Sequence, residues 1–190
     1  MKQNRIILNA LILFAITIIA GGLLGFVYEV TKEPIAHQLA LAEFAALEEV
    51  AGDVDTFEEI EEIFEDEEGP VLIQQITQSI KDGEVIGYNF VVTTSRAYDG
   101  TMTVAVGIGI DGMTNGISII NHTETPGLGS RITDEDFKNQ FKDREALEFA
   151  IDSGDNPVDS ISSATVSTNA VIGAVNRAVD YYHEHLKEAQ

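Results

Sequence analysis

Between Ile6 and Tyr28 the chain reads "IILNALILFAITIIAGGLLGFVY", without one charged residue. A run of that length is read as a helix. At 1.5 Å per residue it reaches about 34 Å, enough to cross the hydrocarbon core of a bilayer. Lys2 and Arg5 precede it, whereas Glu29, Glu33 and a long acidic stretch follow. That asymmetry predicts a single-pass protein of the cell (inner) membrane: residues 1–5 cytoplasmic, residues 6–28 in the lipid, the remainder extracytoplasmic. A cleaved signal peptide competes with this reading, but its apolar region is normally shorter. No cysteine follows the segment, which excludes a lipoprotein anchor.

Beyond the apolar run, charge decides what the chain can meet. The net charge is −21, from 32 acidic and 11 basic residues. Such a surface repels phosphate backbones and anionic membrane faces, so no nucleic-acid partner is expected. The lack of cysteine excludes disulfides, thiolate zinc sites and cysteine-held iron–sulfur clusters. Pro34 suits the first position of a helix. After it, Ile35, Leu39, Ala42, Ala46 and Val50 recur at helical spacing, and Gly52 is a stop signal. Thirteen acidic residues fall between Glu43 and Glu68, and no Lys or Arg occurs from Glu33 to Ile80. Residues 29–69 therefore read as a helical acidic connector with a solvated face. The spacing lacks the glycine and alternating oxygens of a calcium loop, and no metal site is expected.

From Val71 the pattern changes. "VLIQQITQSI", "VIGYNFVVTTS", "TMTVAVGIGI" and "GISIINHT" are rich in β-branched residues. Asp82-Gly83, Asp99-Gly100, Asp111-Gly112 and Asn115-Gly116 stand between them, as hairpin connections would. Two short helical patterns follow, at 134–141 and 144–152. A long helix is expected from about Thr168 to Lys187, with Val171, Val175, Val179 and Tyr182 on one face. Strands first and helices afterwards predict an α+β domain, residues 70–190, with an antiparallel sheet and a long C-terminal helix.

Several familiar motifs fail on context. Gly107, Gly109 and Gly112 spell G-x-G-x-x-G, but here the glycines end one strand and enter a turn before another, where the dinucleotide fingerprint needs a turn that opens a helix. There is no Walker lysine and no G-x-S-x-G elbow, and Ser130 has no nearby base in sequence. His183 and His185 are two apart, which does not place them on one helical face as zinc ligands; they read as surface residues near a helix C-terminus.

One short run resists a bland reading. "SISSATVST", Ser160 to Thr168, holds six hydroxyls in nine positions just before the final helix. Capping by Ser167 or Thr168 explains one or two of them. A phosphate held at the helix N-terminus by a loop of hydroxyl donors would use the whole run.

Asp159-Ser160-Ile161-Ser162-Ser163-Ala164-Thr165 resembles the D-x-x-[S/T]-G-A-T flavinylation motif of bacterial FMN-binding domains, with Ser163 where that family most often has glycine. A second block, "HTETPGLGSRI" from His122 to Ile132, resembles the H-x-E-T-P-G-L-G loop of the G subunit of the Rnf complex and the C subunit of the sodium-pumping NADH:quinone reductase. "GEVIGYNFVVTTSRAYDG" is similar to further stretches of the same family, with Ala97 at a position where glycine is common, and the lone N-terminal anchor matches as well. The resemblance covers nearly the whole chain and is weakest from Glu43 to Glu68.

It implies FMN joined through a phosphoester to Thr165, by an extracytoplasmic, magnesium-using, FAD-dependent FMN transferase that reads Asp159. It also implies cofactor contacts from Ser162, Ser163, Ala164, Glu124, Thr125, Gly127 and Leu128. Gly127 and Gly129 would let backbone approach the ring, and Pro126 would stiffen their loop. The function implied is an electron-transfer link, not an independent enzyme, in a membrane-bound translocase moving electrons between ferredoxin and NAD while exporting Na⁺ or H⁺. Other subunits of that complex would be its partners. The alternatives are the equivalent subunit of the quinone reductase, a free-standing flavinylated carrier, and, in another class, a cofactor-free tethered interaction module.

Overall fold

The computed structural model describes residues 2–60 and 69–187, and contacts divide the chain into two units, Met1–Leu41 and Ala42–Gln190. The first unit belongs to helix α1, Lys2–Ala51. By length and composition this is the one helix among the described residues apolar enough to cross a membrane, and its most apolar window buries nothing. Pro34 lies inside α1, not at the start of a second helix as the sequence suggests. Proline at an interior position forgoes one backbone hydrogen bond, and here the helical pattern on both sides carries through it. Residues 61–68, the densest part of the acidic connector, lie outside the described residues.

The second unit is built on a six-stranded antiparallel sheet in the order β1-β2-β3-β4-β5-β6. Its strands are β1 Thr56–Glu59, β2 Val71–Lys81, β3 Glu84–Thr94, β4 Met102–Gly109, β5 Met113–Asn121 and β6 Arg144–Glu145. Asp82 and Gly83 have φ of 53° and 80°, the two left-handed positions of a tight turn, and they join β2 to β3 with no spare residue. Asp99-Gly100 and Asp111-Gly112 also fall in connections. Asn115-Gly116 does not. It sits within β5, opposite a register shift between Gly107 and Ile108, so its glycine serves a bulge and not a hairpin.

One face of the sheet packs on helix α3, Thr165–Tyr181. Phe90, Val92, Val104 and Val106 meet Val171, Val175 and Val179, all buried, and Tyr182 is buried as expected. The last turns of α1 lie over the other face, where Ala46 and Val50 pack on Ala105. A Cβ at Gly107 would run into the Val50 carbonyl oxygen. The first glycine of the apparent dinucleotide fingerprint thus makes room for a helix end.

Polar contacts fasten that helix end. Ser118 Oγ donates to Glu49 Oε2 at 2.6 Å, and Lys138 Nζ donates to Glu49 Oε1 at 2.6 Å and to Glu135 Oε1 at 2.7 Å. Burial opposes charge on Glu49, but the hydrogen bonds from Lys138 and Ser118 outweigh it and hold the carboxyl below its ordinary range. Burial likewise opposes charge on Lys138, and its bonds to Glu135 and Glu49 raise the ammonium above its usual value.

The helical pattern at 134–141 forms as α2, Glu135–Lys138, continued by a 3-10 turn, Asn139–Phe141. The pattern at 144–152 forms no helix. It becomes β6 and then β7, Phe149–Ile151, which pairs in parallel with β8, Asn156–Val158. Asn176 accepts from Phe149 N at 2.8 Å and donates to Phe149 O at 2.9 Å, while Asn156 Nδ2 donates to Glu145 O at 2.9 Å. His183 is not a free surface residue, since its Nε2 lies 2.5 Å from Ala146 O. Side chains distant in sequence therefore take the backbone groups that a local helix would have used.

Candidate cofactor site

A cleft of about 550 Å³ opens where three segments converge. Tyr98 comes from the β3–β4 connection, Glu124, Thr125, Leu128 and Gly129 from the segment after β5, and 163–167 from the entry to α3. The volume is in the ordinary range for a small-molecule or cofactor site.

The entry to α3 is a tight turn. Ala164 N donates to Ile161 O at 2.9 Å, which makes Ser162 and Ser163 the central pair, and Ser163 has φ of 65°. The third position of such a turn favours glycine. This gives a physical reason for the glycine of the motif that Ser163 replaces. The helix then begins at Thr165, three residues earlier than its hydroxyls suggest. No side-chain oxygen caps it. Thr168 Oγ1 instead donates to Ala164 O at 3.1 Å and accepts from Ile161 N at 3.2 Å, while Ser167 points elsewhere. First-turn N–H groups and the helix dipole therefore favour an anion at the residues that wall the cleft. The Thr165 side chain stands at that helix start and is exposed.

On the opposite wall, Gly127 has φ of 75° in a turn closed by Leu128 N and Ser130 N on Thr125 O, and its own N–H donates to Ser130 Oγ at 2.8 Å. Its part is to turn the chain, and it does not line the cleft. Glu124 is 5% exposed. Its Oε1 accepts from Tyr98 N at 2.9 Å and its Oε2 accepts from Ser167 Oγ at 2.8 Å. One carboxylate thus ties all three walls together. Gly129 lies directly beneath: a Cβ there would overlap Glu124 Oε2 and come within 2.7 Å of Ser167 Oγ.

Of the residues singled out from sequence, Glu124, Thr125, Leu128, Ser163, Ala164 and Thr165 meet in the cleft, whereas Ser162, Gly127 and Asp159 do not line it. Asp159 is exposed, with its backbone held by Gln140, which accepts from Asp159 N at 2.7 Å and donates to Asp159 O at 3.3 Å. Tyr98, Val166 and Ser167 also line the cleft, beyond the contacts expected from the sequence. Ser167 is visible there as part of the hydroxyl run. Tyr98 belongs to the stretch that resembles the family, but nothing local assigns it to this cleft, since it is far in sequence from the residues it meets. Tyr98, Leu128 and Val166 are 71%, 47% and 49% exposed, an apolar rim above a floor of polar hydrogen-bonding groups. A flat aromatic ring carrying a phosphate tail has these two needs, and the residues present fit it.

Residues 97–180 match the FMN-binding domain family and residues 1–50 match the RnfG N-terminal region. The G subunit of the ion-translocating oxidoreductase complex of Methanosarcina acetivorans is 30% identical over 167 residues, covering 87% of this chain and 88% of that one. The G subunit of the Na(+)-translocating ferredoxin:NAD(+) oxidoreductase complex of Acetobacterium woodii is 29% identical over 185 residues, 90% of this chain and 89% of its own. Among solved structures, the C subunit of the Na(+)-translocating NADH-quinone reductase of Parabacteroides distasonis aligns with a TM-score of 0.49 and 20% identity, over 58% of this chain and 61% of that one. The cleft and the family matches define a protein with an FMN-binding domain behind a long apolar helix. The chain belongs to the family of G subunits of the ion-translocating oxidoreductase complexes.

Proposed function

We propose that this chain is the electron-transfer subunit, carrying flavin, of a membrane-bound, ion-translocating ferredoxin:NAD oxidoreductase, with FMN joined by a phosphoester to Thr165. The observation that carries the reading is the position of Thr165: an exposed hydroxyl on the first residue of an uncapped helix, in the wall of a cleft of cofactor size. When bound, FMN supplies electron exchange in steps of one or two. First-turn N–H groups of α3 hold the phosphate end. Tyr98, Leu128 and Val166 give the ring an apolar edge, and the Glu124 bridge keeps the walls in place.

The charge asymmetry of Lys2 and Arg5 against Glu29 and Glu33 supports an FMN-binding domain outside the cytoplasm. An FAD-dependent FMN transferase then finds Asp159 exposed beside the acceptor turn. Coupled ion movement belongs to other subunits, because the apolar segment 6–28 has no Asp, Glu, Lys, Arg or His to form an ion path.

Intact mass of the full chain, produced with the transferase, tests this. One FMN per chain is expected, and none on Thr165→Ala. An unmodified wild-type chain under those conditions would leave the hydroxyl run without a cofactor role and return the cofactor-free module to first place.

A further inference from the structure

The buried carboxylate of Glu124 has more chemistry available than holding loops together. Both its oxygens accept hydrogen bonds, one from a backbone N–H and one from a hydroxyl, and both donors are neutral. Among the described residues no lysine or arginine is paired with it. In its carboxylate form the side chain can only accept, as both oxygens do here, and it carries one negative charge. At 5% exposure that charge is poorly screened by water, so its field reaches further into the cleft than that of a surface carboxylate. The residue is also part of the cleft lining.

We infer that Glu124 sets the reduction potential of the flavin held in this cleft, shifting it to more negative values. The inference rests on the FMN reading above. Each electron passed to the ring by a neighbouring redox centre of the complex adds one negative charge there, unless a proton from solvent follows it. A fixed, unpaired anion in the wall raises the free energy of the electron-rich state and leaves the oxidised, neutral ring little affected. The shift is therefore toward a stronger reductant. Glu124 is in this sense a potential-setting residue, a task distinct from its bridge between Tyr98 and Ser167.

Charge and bridge can be separated. In Glu124→Gln the amide oxygen can still accept from Tyr98 N–H, and the amide nitrogen can donate to Ser167 Oγ, so the bridge survives without its charge. Glu124→Asp keeps the charge and shortens the reach. The test is mediated spectroelectrochemical titration of the full-length, flavin-loaded chain in detergent, with loading checked by intact mass. Loaded Glu124→Gln is expected to titrate at a more positive potential, at least tenfold in the reduction equilibrium, about 30 mV for a two-electron couple. Loaded Glu124→Asp should stay within a factor of about three of the wild type, since the charge is retained.

A loaded Glu124→Gln chain with the wild-type potential overturns the inference. Loss of flavin from Glu124→Gln alone also overturns it, because the charge would then serve attachment. Loss from both variants does so too, leaving a purely structural side chain. Failure of the FMN reading itself looks different: the wild-type chain would carry no flavin.

Discussion

Gly129→Ala is the sharpest probe of how the cleft is built. The added methyl would overlap Glu124 Oε2, stand 2.7 Å from Ser167 Oγ and 3.0 Å from Glu124 Cβ, so one of these must move. The atom with somewhere to go is the carboxylate, and moving it breaks the 2.8 Å bond from Ser167. A hydrogen bond to a charged group contributes about 1.5–3 kcal/mol, and forcing a methyl into a filled site costs about 1–3 kcal/mol. Alanine recovers about 0.4–1 kcal/mol through the unfolded chain. The net loss is about 2–5 kcal/mol, equivalent to a fall of roughly 5–15 °C in Tm for a chain of this size. Differential scanning calorimetry of the full chain in detergent reads this directly. The clash and the lost bond share one oxygen, so adding Ser167→Ala to Gly129→Ala should cost less than the two single changes predict. A Tm for Gly129→Ala within about 2 °C of wild type would refute the reasoning.

Three further outcomes follow from the same structure. Ser163→Gly relieves the positive φ of Ser163, worth about 1 kcal/mol before glycine's own entropy cost, and should raise or preserve Tm without slowing FMN attachment; a lower Tm counts against the turn. Asn176→Ala strands Phe149 N and O, and should cost about 1–3 kcal/mol in the same calorimetric assay, with an unchanged Tm as the contrary result. Glu49 is held below its ordinary carboxyl pKa in the folded state, so its contribution is complete above the unfolded value and is lost as pH falls through the lower folded one. The acid limb of stability should therefore be shallower in Glu49→Gln than in wild type, and identical limbs would remove Glu49 from the latch.

What can be read from the sequence is whatever repeats or acts locally. The charge-free run, the β-branched stretches and the Val171, Val175, Val179 stripe each carry their own periodicity, and each appears where it is expected. The pattern at 144–152 misleads because a short apolar spacing is compatible with either helix or strand. Its fate is decided by Asn156, Asn176 and His183, which capture its backbone from a distance and leave no local sign. Asn115-Gly116 misleads for a related reason, since the same dipeptide that makes a hairpin also makes a bulge. At the site, the two sequence blocks come together, but the part played by Glu124 has no local signature. Its tie to Tyr98 and Ser167 joins residues 26 and 43 positions apart, and only the folded chain places them together.

The most direct test of the account is to locate the flavin among the six hydroxyls of Ser160–Thr168 by fragmenting the modified peptide in a mass spectrometer. Thr165 is predicted, as the hydroxyl that is both exposed and at the first residue of α3 in the cleft wall. FMN on Ser162, Ser163 or Thr168 instead would contradict the claim that the start of α3 is where the phosphate is held.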